Sequence, residues 1–196
     1  PSSPTFSFGG SNRGHTYRYS KSYGGKIDFT SQVNNRHALK MGLQYRLDNL
    51  NERIFSVLYD DNTYRIPTIG PENASPSHSY YSENAIFFSS YIQDKLEYES
   101  FIMNVGIRYD LFDPQSSHVD SLLNPENSLI KSSKKAMWSP RIGVAYPITD
   151  EGILHFSYGH FYQMPTMRNL FLKNIFGAGL SPTIGYSDLK PQKTVM

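Results

Sequence analysis

Apolar and polar residues alternate with a period of two along most of this chain, the pattern of strands with one greasy face. It is cleanest over residues 39–47, where Leu39, Met41, Leu43, Tyr45 and Leu47 alternate with Lys40, Gly42, Gln44 and Arg46. Residues 101–111 repeat it: Phe101, Met103, Val105, Ile107, Tyr109 and Leu111 stand against Ile102, Asn104, Gly106, Arg108 and Asp110. Two further rows follow, joined by the turn Thr149-Asp150-Glu151-Gly152. The first holds Trp138, Ile142, Val144, Tyr146 and Ile148; the second holds Leu154, Phe156, Tyr158 and Tyr162, opposite His155, Ser157 and Gly159. From Tyr17 to Val33 the odd positions are mostly aromatic or aliphatic, but Lys21 interrupts them, and Gly24-Gly25 suggests a bulge. Residues 83–98 also predict a strand. Its faces stay open, because Phe87 and Tyr91 fall on one parity and Phe88, Ile92 and Leu96 on the other.

The connections alternate in length. Residues 34–37, 97–100 and 149–152 are short turns. Residues 59–80, 113–136 and 165–186 are long, the last with a helical stretch at Met167 to Leu172. Tight turns therefore all fall on one side of an antiparallel meander. That suits a transmembrane barrel, with short periplasmic turns and long outer loops, better than the mixed loops of a sandwich. The charge-free apolar rows match the roughly 9–11 residues that cross a bilayer as a strand. The expected fold is all-β: an antiparallel up-and-down meander, part of a transmembrane outer-membrane β-barrel. Odd positions of 39–47 and 101–111, and even positions of 138–148, are expected to face lipid. The alternative is an extracellular β-sandwich whose Tyr-rich face binds carbohydrate.

Composition adjusts this picture little. The chain has 196 residues, and its 14% aromatic content includes 15 Tyr and 12 Phe but a single Trp. Tyrosine suits a membrane interface, and Tyr80, Tyr81 and Tyr162 are expected in such a girdle. A net charge of +2 with interspersed signs gives no nucleic-acid-binding stripe. There is no cysteine. The histidines, His15, His37, His78, His118, His155 and His160, lack metal-ligand spacing, so neither metal nor cofactor is expected. Asp60-Asp61-Asn62 lacks the spaced ligands of a calcium loop and reads as a turn. No nucleophile elbow, phosphate loop or zinc-protease motif occurs, and no enzyme is expected. Both ends look cut, so residues 1–196 are expected to be about seven strands of a larger barrel.

Several short motifs resemble a known family in their order. They are Tyr91-Ile92-Gln93-Asp94, then Val105-Gly106-Ile107-Arg108-Tyr109-Asp110, then Ser139-Pro140-Arg141-Ile142-Gly143, Phe156-Ser157-Tyr158-Gly159 and Tyr162-Gln163-Met164-Pro165. Ser187-Asp188-Leu189-Lys190-Pro191-Gln192-Lys193-Thr194 is similar to the strand start Asn-Pro-x-Leu-Lys-Pro-Glu-Lys-Thr, with Tyr186-Ser187 in place of Asn-Pro and Gln192 in place of Glu. Together they resemble the barrel of TonB-dependent outer-membrane receptors, of the type with a carboxypeptidase-regulatory-like N-terminal domain. The resemblance spans about Tyr17 to Met196.

It implies a Gram-negative outer-membrane receptor and transporter for a scarce, bulky nutrient: a chelated metal, a cobalamin-like cofactor or a glycan. It implies contact with outer-membrane lipid, with the receptor's own plug domain, absent from this chain, and with the TonB complex through an absent N-terminal part. A passive porin would lack that plug. Arg108, Asp110 and Arg141 would then face the lumen and the plug, or else form interior charge ladders neutralised across strands. His160, Gln163 and Arg168 would reach the outer vestibule as candidate substrate contacts.

Overall fold

The computed structural model describes residues 13–60, 63–67, 74–75, 78–121, 129–149, 152–174 and 183–196. Its strands are β1 (Gly14–Asn34), β2 (His37–Ser56), β3 (Leu58–Asp60), β4 (Thr63–Arg65), β5 (Ala74–Ser75), β6 (His78–Tyr98) and β7 (Phe101–Asp113). They continue as β8 (Ser117–Val119), β9 (Leu129–Lys131), β10 (Lys135–Pro147), β11 (Ile153–Gln163), β12 (Lys173–Asn174), β13 (Thr183–Ile184) and β14 (Gln192–Val195), with helix α1 (Met167–Phe171) after β11. The main sheet has the order β1-β2-β6-β7-β10-β11-β14, with β5 added beside β6. Every neighbouring pair is antiparallel. This is the up-and-down meander expected from the alternation. No helix among the described residues is long and apolar enough to cross a membrane, which says nothing about crossing by strands.

The turns between β1 and β2, β6 and β7, and β10 and β11 lie at one end of the sheet. The long connections lie at the other, and each carries a hairpin: β3 with β4, β8 with β9, and β12 with β13. Sequence alone showed only loops there, because strands of two or three residues are too short to display a period. Of the Asp60-Asp61-Asn62 turn, Asp61 and Asn62 lie outside the described residues, as do Asp150 and Glu151 of the last tight turn. The bulge expected at Gly24-Gly25 is absent, since β1 and β2 pair without interruption there. The register shifts between Gln32 and Asn34 instead. Gly24 serves a close approach: a Cβ on it would stand 2.8 Å from the Tyr45 carbonyl oxygen.

Residues directly opposed across a ladder share a face, so the registers carry parity from strand to strand. One row runs Ile27, Leu43, Ser90, Tyr109 and Trp138; the next runs Phe29, Met41, Ile92, Ile107 and Pro140. This settles the open strand. Phe88 and Ile92 continue the apolar face, while Phe87 and Tyr91 turn to the other side. That apolar face is bare: Ile27 is 73% exposed, Trp138 56% and Phe156 60%. A sandwich would have buried these side chains beneath a second sheet.

The packed core lies on the opposite face, at the long-loop end. Tyr81, Ala85, Phe112 and Met137 from the strands meet Leu170, Phe171 and Leu172 from α1 and its C-terminal flank. Tyr81 is therefore a core residue and not part of an outer girdle. Tyr162 also packs toward this cluster. It lies beyond Gly159, where the β10–β11 ladder ends, so β10 no longer fixes its orientation. Tyr80 shares the outer face with Arg53.

Candidate functional site

The face opposite the bare apolar one, the inner face, is polar along most of its length, and most of its charges are matched locally. Arg108 donates to both oxygens of Asp110 at 2.7–3.0 Å. Ser89 closes the group, donating to Asp110 at 2.6 Å and accepting from Arg108 at 2.9 Å. Lys26 pairs with Asp28 at 2.8 Å, and Lys95 pairs with Glu97. Arg46 Nε stands 3.1 Å from Asp48 Oδ1, badly angled for a hydrogen bond, and its guanidinium lies 4.2 Å from the Phe87 ring centroid. Among the described residues of this face, these pairs join side chains two apart on one strand, and Arg18–Glu52 crosses between strands. The expected cross-strand ladder is thus mostly a set of along-strand pairs. Side chains at i and i+2 on one face are about 6.6 Å apart at their roots, a gap that lysine and arginine stems span easily.

A further interaction spans three strands. Tyr91 donates to Asp28 at 2.8 Å, reaching from β6 to β1 over β2. Gly42 lies beneath it, and a Cβ there would stand 2.4 Å from Tyr91 Cε1. The glycine leaves the gap that the tyrosine crosses.

Lys40 and Arg141 have no carboxylate within ion-pair distance among the described residues. They fall in one transverse row, Lys40, Gln93, Gly106 and Arg141. Arg141 lies 4.8 Å from the centroid of the Phe161 ring. The row borders an open depression of about 420 Å³, lined also by Tyr91, Asn104 and Arg108. Chemically this is a basic recess, with the cationic donors that a carboxylate or phosphate would need. The registers put Arg108, Asp110 and Arg141 on one polar face, and Lys40 and Gln93 join them there. The latter two were missed because only strand register aligns residues so far apart in sequence.

The three candidates for substrate contact separate. His160 accepts from, or donates to, the Tyr158 hydroxyl at 2.8 Å on the outer face. Gln163 is exposed at the end of β11, opposite Gln192. Arg168 is exposed on α1, and its charge reaches Tyr81 on the inner wall. Helix α1 is held by more than its apolar residues. Leu172 closes the helix's own last turn by donating its amide to Arg168 O at 2.9 Å, and Tyr186 ties the helix to the following chain by donating its amide to Asn169 O at 2.9 Å. Gly185 crosses the helix end so closely that a Cβ would lie 2.6 Å from Leu172 N.

A buried polar latch joins two long connections at this end. Lys135, 7% exposed, spends all three ammonium hydrogens: on Ser133 O at 2.7 Å, Ser187 O at 3.2 Å and Asp188 Oδ1 at 2.7 Å. Asp188 also accepts from the Ser133 amide and hydroxyl. Ser132 bridges His118 at 3.1 Å and Ser187 at 2.5 Å. Asp188 belongs to the Ser187–Thr194 motif, but nothing in the sequence singles out Lys135 as its partner.

The Lys135 ammonium, then the Ser133 hydroxyl, hold the Asp188 carboxyl well below the usual carboxylate range. A lowered folded value means the latch contributes fully above the ordinary value of 3.8 and loses its contribution as pH falls below it. Amide exchange at Ser133 in the full-length protein is expected to stay slow from neutral pH down to about 4 and then lose protection. In Asp188→Asn, protection should be lower at neutral pH and indifferent to acid. A variant as acid-sensitive as the wild type would remove Asp188 from the latch.

A family model described as TonB dependent receptor-like, beta-barrel matches residues 2–195. No curated protein and no solved structure matches the chain.

Proposed function

Because the chain belongs to the TonB-dependent receptor β-barrel family, we propose that it forms part of the wall of a receptor that imports a scarce, bulky nutrient with energy supplied through TonB. Family membership itself makes it part of an outer-membrane receptor or transporter and not an enzyme. The observation that carries the finer reading is the contrast between the faces: one sheet face is bare and apolar, while the other is polar, charge-matched and locally recessed. In this reading the apolar face meets lipid, the short turns are periplasmic and the long connections are extracellular.

The seven long-path strands belong to a larger barrel, closed by strands elsewhere in the protein. Arg108, Asp110 and Arg141 line its lumen and face a plug domain. Lys40 and Arg141, with no carboxylate in reach among the described residues, would meet acidic groups there. The order of short motifs along the chain supports a receptor with a carboxypeptidase-regulatory-like N-terminal domain. The cargo would be a chelated metal, a cobalamin-like cofactor or a glycan. Gln163 and Arg168 are its first contacts at the outer rim; His160, on the outer face, is the least suited of the three.

Cells carrying the full-length receptor test this with chelated iron, cobalamin and oligosaccharides, each with and without a protonophore. Accumulation that stops with the protonophore supports energised import; flux indifferent to it would make the barrel a passive porin. With the accumulated compound, Arg168→Ala is expected to weaken binding about tenfold, as loss of a charged hydrogen bond does, with barrel melting unchanged. Unchanged binding would leave Arg168 with a structural role at the rim.

A further inference from the structure

We propose that the outer face carries, immediately above its apolar belt on β1, β2 and β6, a binding site for the phosphate-bearing sugar headgroup of an outer-leaflet glycolipid. The proposal rests on the reading that this face meets lipid. On these strands the belt closes with the row Tyr23, Leu47 and Ile86. The next row toward the long-loop end is Lys21, Asn49 and Asn84, and its chemistry changes at once. Asn49 Nδ2 donates to Asn84 Oδ1 at 2.8 Å, Asn51 Nδ2 donates to Asn49 Oδ1 at 2.7 Å, and the Tyr80 hydroxyl donates to Asn51 Oδ1 at 3.4 Å. Each donor in this chain fixes the next amide, and the exposed Asn84 is left with its Nδ2 hydrogens directed away from the chain.

Charge on this patch has one sign. Lys21 is exposed, 5.3 Å from the Tyr19 ring centroid, with no carboxylate in reach among the described residues. Arg53 lies two rows higher, donating to His78 Nε2 at 3.1 Å and to Pro67 O at 3.3 Å. Burial, then the Arg53 charge, push His78 below its ordinary value, so its ring takes that bond as a neutral acceptor. The acidic residues of these strand segments, Asp48, Glu52 and Glu83, all point to the inner face. Lys21 and Arg53 are about 13 Å apart along the strands, a span that suits a phosphorylated disaccharide better than one phosphate. The exposed Tyr19 ring lies in the row between them, and exposed Tyr17, stacked on Phe55, lies beside Arg53; both offer an apolar ring face to a sugar. A lysine that merely extends its stem to water needs no ordered amides beside it. The amide chain is what turns a boundary lysine into a site.

The test uses the full-length receptor in phospholipid nanodiscs, with purified lipopolysaccharide, intact or dephosphorylated, as the probe. Native mass spectrometry reads the glycolipid retained. Intact glycolipid is expected to bind, with Lys21→Ala together with Asn84→Ala weakening retention at least fivefold, as loss of one interfacial cation alone does. Dephosphorylated glycolipid should bind no better than the double variant binds the intact form. Lys21→Arg should restore retention, and Lys26→Ala, on the same strand but the inner face, should leave it unchanged. Equal retention by wild type and double variant, or no preference for phosphate, overturns the site. A nitroxide on Ile107→Cys separates the two layers of the reading. Lipid contact at Ile107 without glycolipid preference sinks the headgroup site alone; no lipid contact there sinks the lipid-facing assignment as well.

Discussion

Val144→Arg is expected to destabilise the folded receptor in a lipid bilayer by about 2–4 kcal/mol, the penalty for an arginine near the midplane of a barrel's lipid face. Val144 sits on the outer row between Met103 on β7 and Phe156 on β11, so no side chain beside it offers a carboxylate to the new charge. Val105→Arg is expected to cost less, although Val105 is 40% exposed on the same face. Its partner on β6 is Asp94, which would pair with the introduced guanidinium. Gly143, one residue along and on the inner face, is the control. A Cβ there meets nothing closer than Phe156 O at 4.0 Å, so Gly143→Ala should be nearly neutral. Urea unfolding in phospholipid vesicles gives all three values. A neutral Val144→Arg would reverse the face assignment and with it the lipid-facing reading. A Val105→Arg as costly as Val144→Arg would show only that Asp94 does not reach.

The part of this fold that sequence made legible is the part where alternation is one-sided. In 39–47 and 101–111 every apolar residue of the outer row has a small or polar neighbour, so parity alone assigns the face. β6 defeated parity because its inner side is aromatic too. Phe87 is held between Arg46 and Phe112, with ring centroids 4.7 Å apart in the second contact, and Tyr91 reaches over Gly42 to Asp28. An interior ring satisfied by a guanidinium or a hydrogen bond looks, in sequence, like a lipid-facing one. Tyr81 was misplaced because the apolar cluster that buries its ring is closed by α1, which strand parity does not show. Arg108 and Asp110 were readable as a polar pair because they are two residues apart. Lys40 with Arg141, and Lys135 with Asp188, were not, because only register and loop packing bring them together. Lys21 stood out as a break in an aromatic row, but its amide neighbours come from β2 and β6.

Phe171→Ala is expected to cost about 3–5 kcal/mol of the free energy that holds α1 to the inner wall, the range for truncating a buried phenylalanine. Phe171 is 1% exposed and sits in the cluster of Tyr81, Ala85, Phe112 and Met137. Removing its ring leaves a cavity between a five-residue helix and the sheet, and a helix so short has little stability of its own. The loss should therefore appear locally. The amides of Leu172 and Tyr186, which donate to Arg168 O and Asn169 O, should exchange at least a hundredfold faster in the full-length receptor. Amides in the middle of the β2–β6 ladder should keep their protection. Gly185→Ala acts on the same contact from the other side, since its Cβ would press on Leu172 N, and should loosen the same two amides. If both stay protected in Phe171→Ala, the apolar cluster is not what anchors α1. If the β2–β6 ladder loosens equally, α1 belongs to the cooperative core of the barrel, and Arg168 would lose its place only when the wall itself unfolds.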